Sequence, residues 1–185
     1  MCGRYEFSLG VAPLLDRVAA QEEDWQPGEV RPGMDAPVLI ARGGKIGVQM
    51  QNWGFVREAR RMINARAETA HEKPMFRDCL RLRRCAIPAS SFFEWDSARH
   101  PYRFDTGRAI FLAGIYEETA GGRFYCILTT AASTCMEAIH DRMPVVLEEG
   151  EMRTWLNDPA RAIKLLRAPG KILRRTALDG QLTLW

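Results

Sequence analysis

Short apolar runs separated by turn residues dominate the middle of the chain. Val38-Leu39-Ile40 and Ile46-Gly47-Val48 flank Gly43-Gly44, which predicts a hairpin. Further strands are predicted at Cys85–Ile87, Phe92–Trp95, Tyr102–Phe104, Ala109–Tyr116 and Phe124–Thr130. Thr106-Gly107 and Gly121-Gly122 supply tight turns between them, and Met143–Leu147 reads as one more short strand. Helices are predicted at Pro13–Ala20, with Pro near its first turn, and at Met75–Leu82, Glu151–Leu156 and Pro159–Leu166. Gln21–Gly33 is polar, contains Pro27, Gly28, Pro32 and Gly33, and reads as loop. The order is not a regular β-α-β alternation. It predicts an α+β fold of mainly antiparallel strands with peripheral helices.

The length of 185 residues fits one domain spanning 1–185. An apolar share of 46% and a charged share of 26% are ordinary for a soluble protein. No apolar run approaches the roughly 18 residues of a membrane span. Gly3, Arg4, Glu6 and Asp16 interrupt anything like a signal peptide, so a cytoplasmic monomer is expected. Net charge is +3 and most of the basic residues are Arg. The Arg fork suits phosphate, but a GC-rich genome accounts for the same bias, so composition leaves the partner open. Cysteines number five, with no C-x-x-C spacing, which argues against a disulfide scaffold or a structural zinc site. Cys126, in an apolar run, reads as a small core residue, and Cys79 and Cys85 fit the same reading. No ligand cluster or phosphate-cradling Gly motif calls for a metal or nucleotide cofactor.

Four segments carry candidate chemistry. Met1-Cys2-Gly3-Arg4 has a small second residue, which permits removal of the initiator Met. Cys2 would then carry an α-amine and a thiol together. Such a 1,2-aminothiol condenses with an aldehyde to an imine and closes to a thiazolidine. The amine titrates near 7.7–8.0, and Arg4 is expected to favour the thiolate. In Ile63–Thr69, Asn64 can orient an amine or a water and Arg66 can hold a phosphate. In Arg84–Trp95, a strand at Phe92–Trp95 puts Glu94 on the face of Phe92, opposite Phe93 and Trp95. A carboxyl beside apolar rings has a raised pKa and can deliver a proton near neutrality. In Ile139–Pro144, His140 is a candidate proton shuttle and Arg142 a candidate phosphate ligand. Taken singly, each segment has a plainer reading: an incidental Cys, a capped turn, a solvent-facing Glu, a structural His.

Together, Cys2-Gly3-Arg4, Asn64–Thr69, Pro88–Trp95 and His140–Pro144 resemble the SRAP family, the SOS-response-associated peptidase domain proteins. They match its Cys-Gly-Arg, Asn-Ala-Arg-x-Glu-Thr, Pro-Ala-x-x-Phe/Tyr-x-Glu-Trp and His-Asp-Arg-Met-Pro patterns in order. The resemblance implies an α+β fold with a partly closed, barrel-like antiparallel sheet. It implies a sensor of abasic sites in single-stranded DNA that cross-links to them through Cys2 in the DNA-damage response, nucleoid-associated when bound. Asn64 would position the α-amine, Glu94 would act as general acid/base, and His140 would shuttle a proton. Arg4, Arg66 and Arg142 would bind flanking phosphates, with Pro32 and Trp53 also at the DNA.

The chain departs from the family at three places. Glu29-Val30-Arg31-Pro32 stands where members carry Asn-hydrophobic-Ala-Pro. Trp53-Gly54 is followed by Phe55–Arg61 without the usual Pro and Trp, and Lys171–Trp185 lacks the usual Asn-rich close. Two other readings compete: a cysteine (auto)peptidase using Cys2 and His140, and a non-catalytic binder of single-stranded DNA.

Overall fold

The computed structural model describes residues 2–7, 27–58 and 60–178. The helix expected at Pro13–Ala20 lies outside them. The elements run β1 (Tyr5–Phe7), β2 (Gly28–Val30), β3 (Asp35–Arg42), β4 (Lys45–Trp53), β5 (Phe55–Arg57), β6 (Arg60–Met62) and β7 (Asn64–Arg66). Next come α1 (Pro74–Leu82), β8 (Arg84–Ala89), β9 (Ser91–Trp95), β10 (Pro101–Asp105), β11 (Ile110–Thr119), β12 (Gly122–Ala131), β13 (Arg142–Pro144) and β14 (Val146–Leu147). The chain continues through α2 (Glu149–Asn157), α3 (Pro159–Leu166) and β15 (Arg174–Ala177).

The larger sheet closes on itself. Its order β12-β4-β3-β8-β11 returns to β12 through the β11–β12 hairpin. Closure removes free edges from these strands, as in other small barrels. Pairing is antiparallel except at β12, where β4 and β7 run parallel to it. The interior is filled by aromatic and branched residues: Trp53, Tyr125, Ile127, Ile87, Leu39 and Tyr5 are at most 1% exposed. Polar tips inside find partners, as buried polar groups must. Tyr5 and Tyr125 share a hydrogen bond of 2.8 Å between hydroxyls, and Trp53 Nε1 donates to Ile63 O at 3.0 Å.

Helices cover the outside of this sheet. Pro74 opens α1, and Phe76, Cys79 and Leu80 on one face are buried where α1 meets β8 and β11. The α2 helix begins with a reciprocal capping box between Glu148 and Glu151. It is fastened to β8 by Trp155 Nε1 donating to Cys85 O at 2.8 Å and Arg84 Nε donating to Trp155 O at 2.8 Å. Asp158 caps α3 by accepting from Arg161 N at 2.9 Å.

The second sheet, β15-β10-β9-β1-β2, is antiparallel throughout. At Ser90 the chain passes from β8 in the barrel directly to β9 in this sheet, and Ser90 N donates to Glu6 O at 2.8 Å. The junction brings β1, and with it the start of the chain, against the barrel.

Three sequence expectations need correction. Gly28–Val30, read as loop, is a strand because Tyr5–Phe7 offers it a partner. Asn64–Arg66, read as a turn, is a strand held by β12. Met143–Leu147 is two short strands, because Val145 bridges from β12 to β11: its N–H donates to Leu128 O and its carbonyl accepts from Ala113 N.

Gly114 lies where β8, β11 and β12 meet. A Cβ there would come within 2.5 Å of Ile87 Cδ1 and 3.1 Å of the Cys126 carbonyl oxygen. The carbonyl belongs to the β12 backbone and cannot swing aside. Gly114→Ala is therefore expected to destabilise the fold by about 1–3 kcal/mol, read as a lowered urea midpoint at unchanged m-value.

Candidate active site

Cys2 is completely buried. The β1–β9 register pairs Tyr5 with Phe92, and Phe93 N donates to Arg4 O at 3.0 Å. Continued by two residues, that register brings Gly3 opposite Glu94. Asn64 fixes the same segment from the barrel side: its Nδ2 donates to Cys2 O at 2.7 Å. Asn64 can do this because β7 is held against β12, with Asn64 beside Ile127. Its Oδ1 is buried and has no hydrogen-bond partner. A buried amide oxygen left in that state costs roughly 1–3 kcal/mol unless a donor arrives.

The Cys2 thiol donates weakly to Arg4 O at 3.6 Å. Burial and then the Glu94 charge push its pKa well above the usual thiol range. The expectation that Arg4 favours the thiolate is thereby reversed. The Arg4 guanidinium is fully buried, lies 5.0 Å over the Trp95 ring and reaches Glu29 at 3.6 Å.

Glu94 is 4% exposed and follows the aromatic pair Phe92 and Phe93 on β9. Burial raises its pKa to about 7, and the nearby Asp141 charge adds to the shift. The period-2 reading of this strand anticipated a carboxyl in apolar surroundings, and that is where the structure puts it.

His140 ends the turn after β12. Its Nδ1 accepts from Arg142 N at 2.9 Å, so the neutral ring carries its proton on Nε2. Asp141 Oδ1 also lies 2.9 Å from Nδ1. The accepting role of Nδ1 toward the amide leaves this contact without a shared proton unless the ring is charged. Burial lowers the His140 pKa, which favours the neutral ring.

Cys2, Asn64 and Glu94 thus come together from three separate segments, and Asp141, next to His140, adds its charge at Glu94. The arginines divide. Arg66 is exposed and makes no ion pair among the described residues. Arg142 is bound to Glu68 through Nη1 and Nη2 at 2.7 and 2.8 Å, and Nη2 also donates to Thr129 O at 2.6 Å. Sequence reasoning gave Glu68 no role, although it lies inside the quoted Asn64–Thr69 segment. Trp53 is completely buried, 5.2 Å from the Tyr5 ring and stacked on Tyr125 at 6.1 Å, so neither ring face is open to a base. Pro32 occupies the first central position of a turn closed by Met34 N donating to Arg31 O at 3.0 Å. Gly33, at φ +88°, takes the second, as a type II turn requires.

A cavity of about 610 Å³ opens elsewhere, between α1, α3 and the segment after β7, lined by Glu68, His71, Leu80, Ile163 and Arg167. Cys2, Asn64, Glu94 and His140 are not among its lining residues. The described residues contain no cluster of three or more His, Cys, Asp or Glu suited to a metal ion. Among them no helix is long and apolar enough to cross a membrane.

The family model for SOS response associated peptidase (SRAP) matches residues 1–177. Abasic site processing protein YoaM of Bacillus subtilis is 33% identical, over 85% of this chain and 79% of that protein. Abasic site processing protein YedK of Escherichia coli is 30% identical, over 84% of this chain and 79% of that one. A crystal structure from Bacteroides thetaiotaomicron shares the fold, with a TM-score of 0.79 over 96% of this chain and 92% of that chain at 24% identity. Motifs in family order, a matching barrel and these relatives lead to one assignment: the chain belongs to the SRAP family.

Proposed function

We propose that this protein processes abasic sites in single-stranded DNA by trapping their aldehyde on Cys2 as a thiazolidine, once Met1 has been removed. The observation that carries the reading is the buried, unpartnered Oδ1 of Asn64 on the side chain that already grips the Cys2 carbonyl. A free α-amine on Cys2 is the donor that oxygen lacks. Accepting from it would aim the nitrogen lone pair, while burial of the site disfavours the ammonium form.

The chemistry balances with the groups at hand. The neutral amine adds to the sugar aldehyde, one amine proton passing to the new hydroxyl, and Glu94 in its acid form protonates that hydroxyl as it departs, releasing water and leaving a protonated imine beside the Glu94 carboxylate. The new Glu94 carboxylate takes the proton of the Cys2 thiol, and the sulfur closes on the imine carbon while the nitrogen keeps its proton. A pKa of about 7 suits both halves of this exchange. The carboxylate and thiol resist being charged together, so one proton passes between them. His140, neutral with its proton on Nε2, is suited to serve the ring oxygen as the sugar opens. Arg66 offers its fork to a flanking phosphate.

The electrostatics weigh against the peptidase reading. A cysteine nucleophile needs a depressed pKa or an imidazole that takes its proton. Here burial and Glu94 hold the thiol neutral, and the His140 Nδ1 is committed to the Arg142 amide.

Mass spectrometry of the protein before and after incubation with abasic single-stranded DNA is expected to show loss of Met1 and a stable adduct at Cys2. Cys2→Ala is expected to give no heat-stable adduct and to nick abasic DNA more than the wild type, because an uncaptured imine can expel the 3′ phosphate. A heat-stable adduct in Cys2→Ala would refute ring closure through sulfur.

The rate of adduct formation should depend on pH in a bell. It falls as pH rises through about 7, where Glu94 loses its proton. It also falls at lower pH, as the α-amine, with its ordinary value near 7.7–8.0, gains one. Glu94→Gln should slow the reaction and remove the high-pH decline, leaving a rate that rises with pH to a plateau. Retention of that decline in Glu94→Gln would assign the titration to another group.

A further inference from the structure

The cavity between α1, α3 and the segment after β7 has an apolar floor and a basic lip. Ala67, Leu80 and Leu166 form the floor and are at most 8% exposed. Ile163, also in the lining, is 37% exposed. Its position is informative. The α3 helix already meets the core through Ala162 and Leu166, so packing does not call for an apolar side chain at 163. Ile163 instead extends the apolar wall out to the solvent. The volume of about 610 Å³ falls within the range of roughly 300–1,000 Å³ that ligand sites occupy.

The charges around this opening are unevenly matched. Glu68, the acidic member of the lining, is bound by the Arg142 fork at 2.7 and 2.8 Å. His71, also in the lining, has Glu72 beside it at 3.6 Å. Arg167 lines the cavity, and its amide donates to Lys164 O at 3.1 Å, one turn back on α3. Residues three apart on a helix share a side. Lys164 and Arg167 are both exposed, and neither makes an ion pair among the described residues. Their neighbour Arg161 is paired with Asp158, and Arg77 on α1 is paired with Asp78.

An aliphatic well beside two unmatched cations suits a ligand that joins a large apolar group to carboxylates. Nucleic acid would supply negative charge, but its bases bind such grooves by stacking, and the lining contains no Phe, Tyr or Trp. We propose that this cavity docks an acidic segment of a partner protein, with a large apolar side chain set against Leu80, Ile163 and Leu166 and carboxylates on Lys164 and Arg167. An apolar anchor in a pocket supplies the affinity, and the rim charges supply steering and selectivity. Cys2, Asn64, Glu94 and His140 lie outside the lining, so the partner and the DNA can be held at once. The inference goes beyond the cross-linking reading and does not depend on it.

The test is fluorescence anisotropy of the full chain with three labelled peptides: Asp-Asp-Asp-Asp-Leu-Phe, Asp-Asp-Asp-Asp-Ala-Ala and Ser-Ser-Ser-Ser-Leu-Phe. The first is expected to bind about tenfold or more tightly than either of the others, and more weakly as salt is raised. Ile163→Glu and Arg167→Glu should each weaken it by about tenfold or more. Both positions are exposed, so the thermal midpoint should stay near that of the wild type. Arg167→Glu should in turn bind Lys-Lys-Lys-Lys-Leu-Phe better than the wild type does, a gain that a merely disturbed fold would not produce.

Failure of the wild type to bind the Asp-Asp-Asp-Asp-Leu-Phe peptide, or equal binding of all three peptides, would overturn the proposal. So would a folded Ile163→Glu that binds the acidic peptide as the wild type does. If undamaged oligothymidine displaces the peptide, and Ile163→Glu weakens oligothymidine to the same degree, the cavity is a nucleic-acid surface and the partner segment is excluded.

Discussion

Everything at the candidate site hangs on strand β12 being paired along both edges. On one edge β11 accompanies it from Gly122 to Ile127, closing the barrel. On the other, β4 and then β7 lie parallel to it, with Tyr125 beside Trp53 and Ile127 beside Asn64. At its far end β13 adds Arg142 opposite Ala131. One strand thus fixes the heights of Asn64 and of the segment entering from His140. Parallel partners cannot be joined by a tight turn. The chain leaves β12 at Gly54, whose amide donates to Tyr125 O, makes the β5–β6 hairpin, and returns at Ile63, whose carbonyl accepts from Ile127 N. That detour lets Asn64 arrive beside Cys2 without a long crossover.

Burial then does the chemical tuning. The Cys2 thiol and the Glu94 carboxyl are both removed from water, and desolvation disfavours the charged form of each. Placed together, they hold protons that either would release more readily alone in solvent. His140 responds in the opposite direction for the same reason, since its charged form is the one disfavoured. In a site built this way the thiol and the imidazole are neutral near physiological pH, and the carboxyl is close to its titration midpoint. That suits condensation of an amine with an aldehyde, in which protons are passed between neighbours and no strong base is required.

Much of this was legible in the chain. The Gly43-Gly44 hairpin, the long β11–β12 pair and all three described helices follow from local periodicity and turn residues, because each is stabilised by neighbours close in sequence. The strand alternation at Phe92–Trp95 offered a desolvated Glu94 only as one of two readings, and the plainer one, a solvent-facing Glu, does not hold, since Glu94 is buried. The missed strands share a cause. β2 and β7 are three residues long, polar at most positions, and exist because Tyr5–Phe7 and Ile127–Thr129 present edges to them. No local pattern encodes a partner so distant in sequence. The same distance hid the state of the Cys2 thiol. Arg4 is adjacent in sequence, yet its guanidinium is turned to Trp95 and Glu29, and the charge that matters to the sulfur comes from Glu94.

The arginines make the same point about charge. The fork that matches a phosphate also matches a carboxylate or a pair of backbone carbonyls. Arg57 spends its fork on Glu117, Arg174 on Asp105, and Arg84 on the carbonyls of Leu80, Arg81 and Trp155. Arg61 reaches Asn52 and the carbonyls of Trp53 and Gly54, pinning the base of the hairpin. Glu29 and Arg31, the two departures in the early loop, pair with each other at 3.0 Å, and Glu29 also reaches Arg4. Glu29 thereby offsets the like charge that Arg31 sets beside buried Arg4. An Arg-rich composition is for this reason a poor guide to a nucleic-acid surface. The informative arginine is the one whose fork has no protein partner, and Arg66 meets that condition among the described residues of the motif segments.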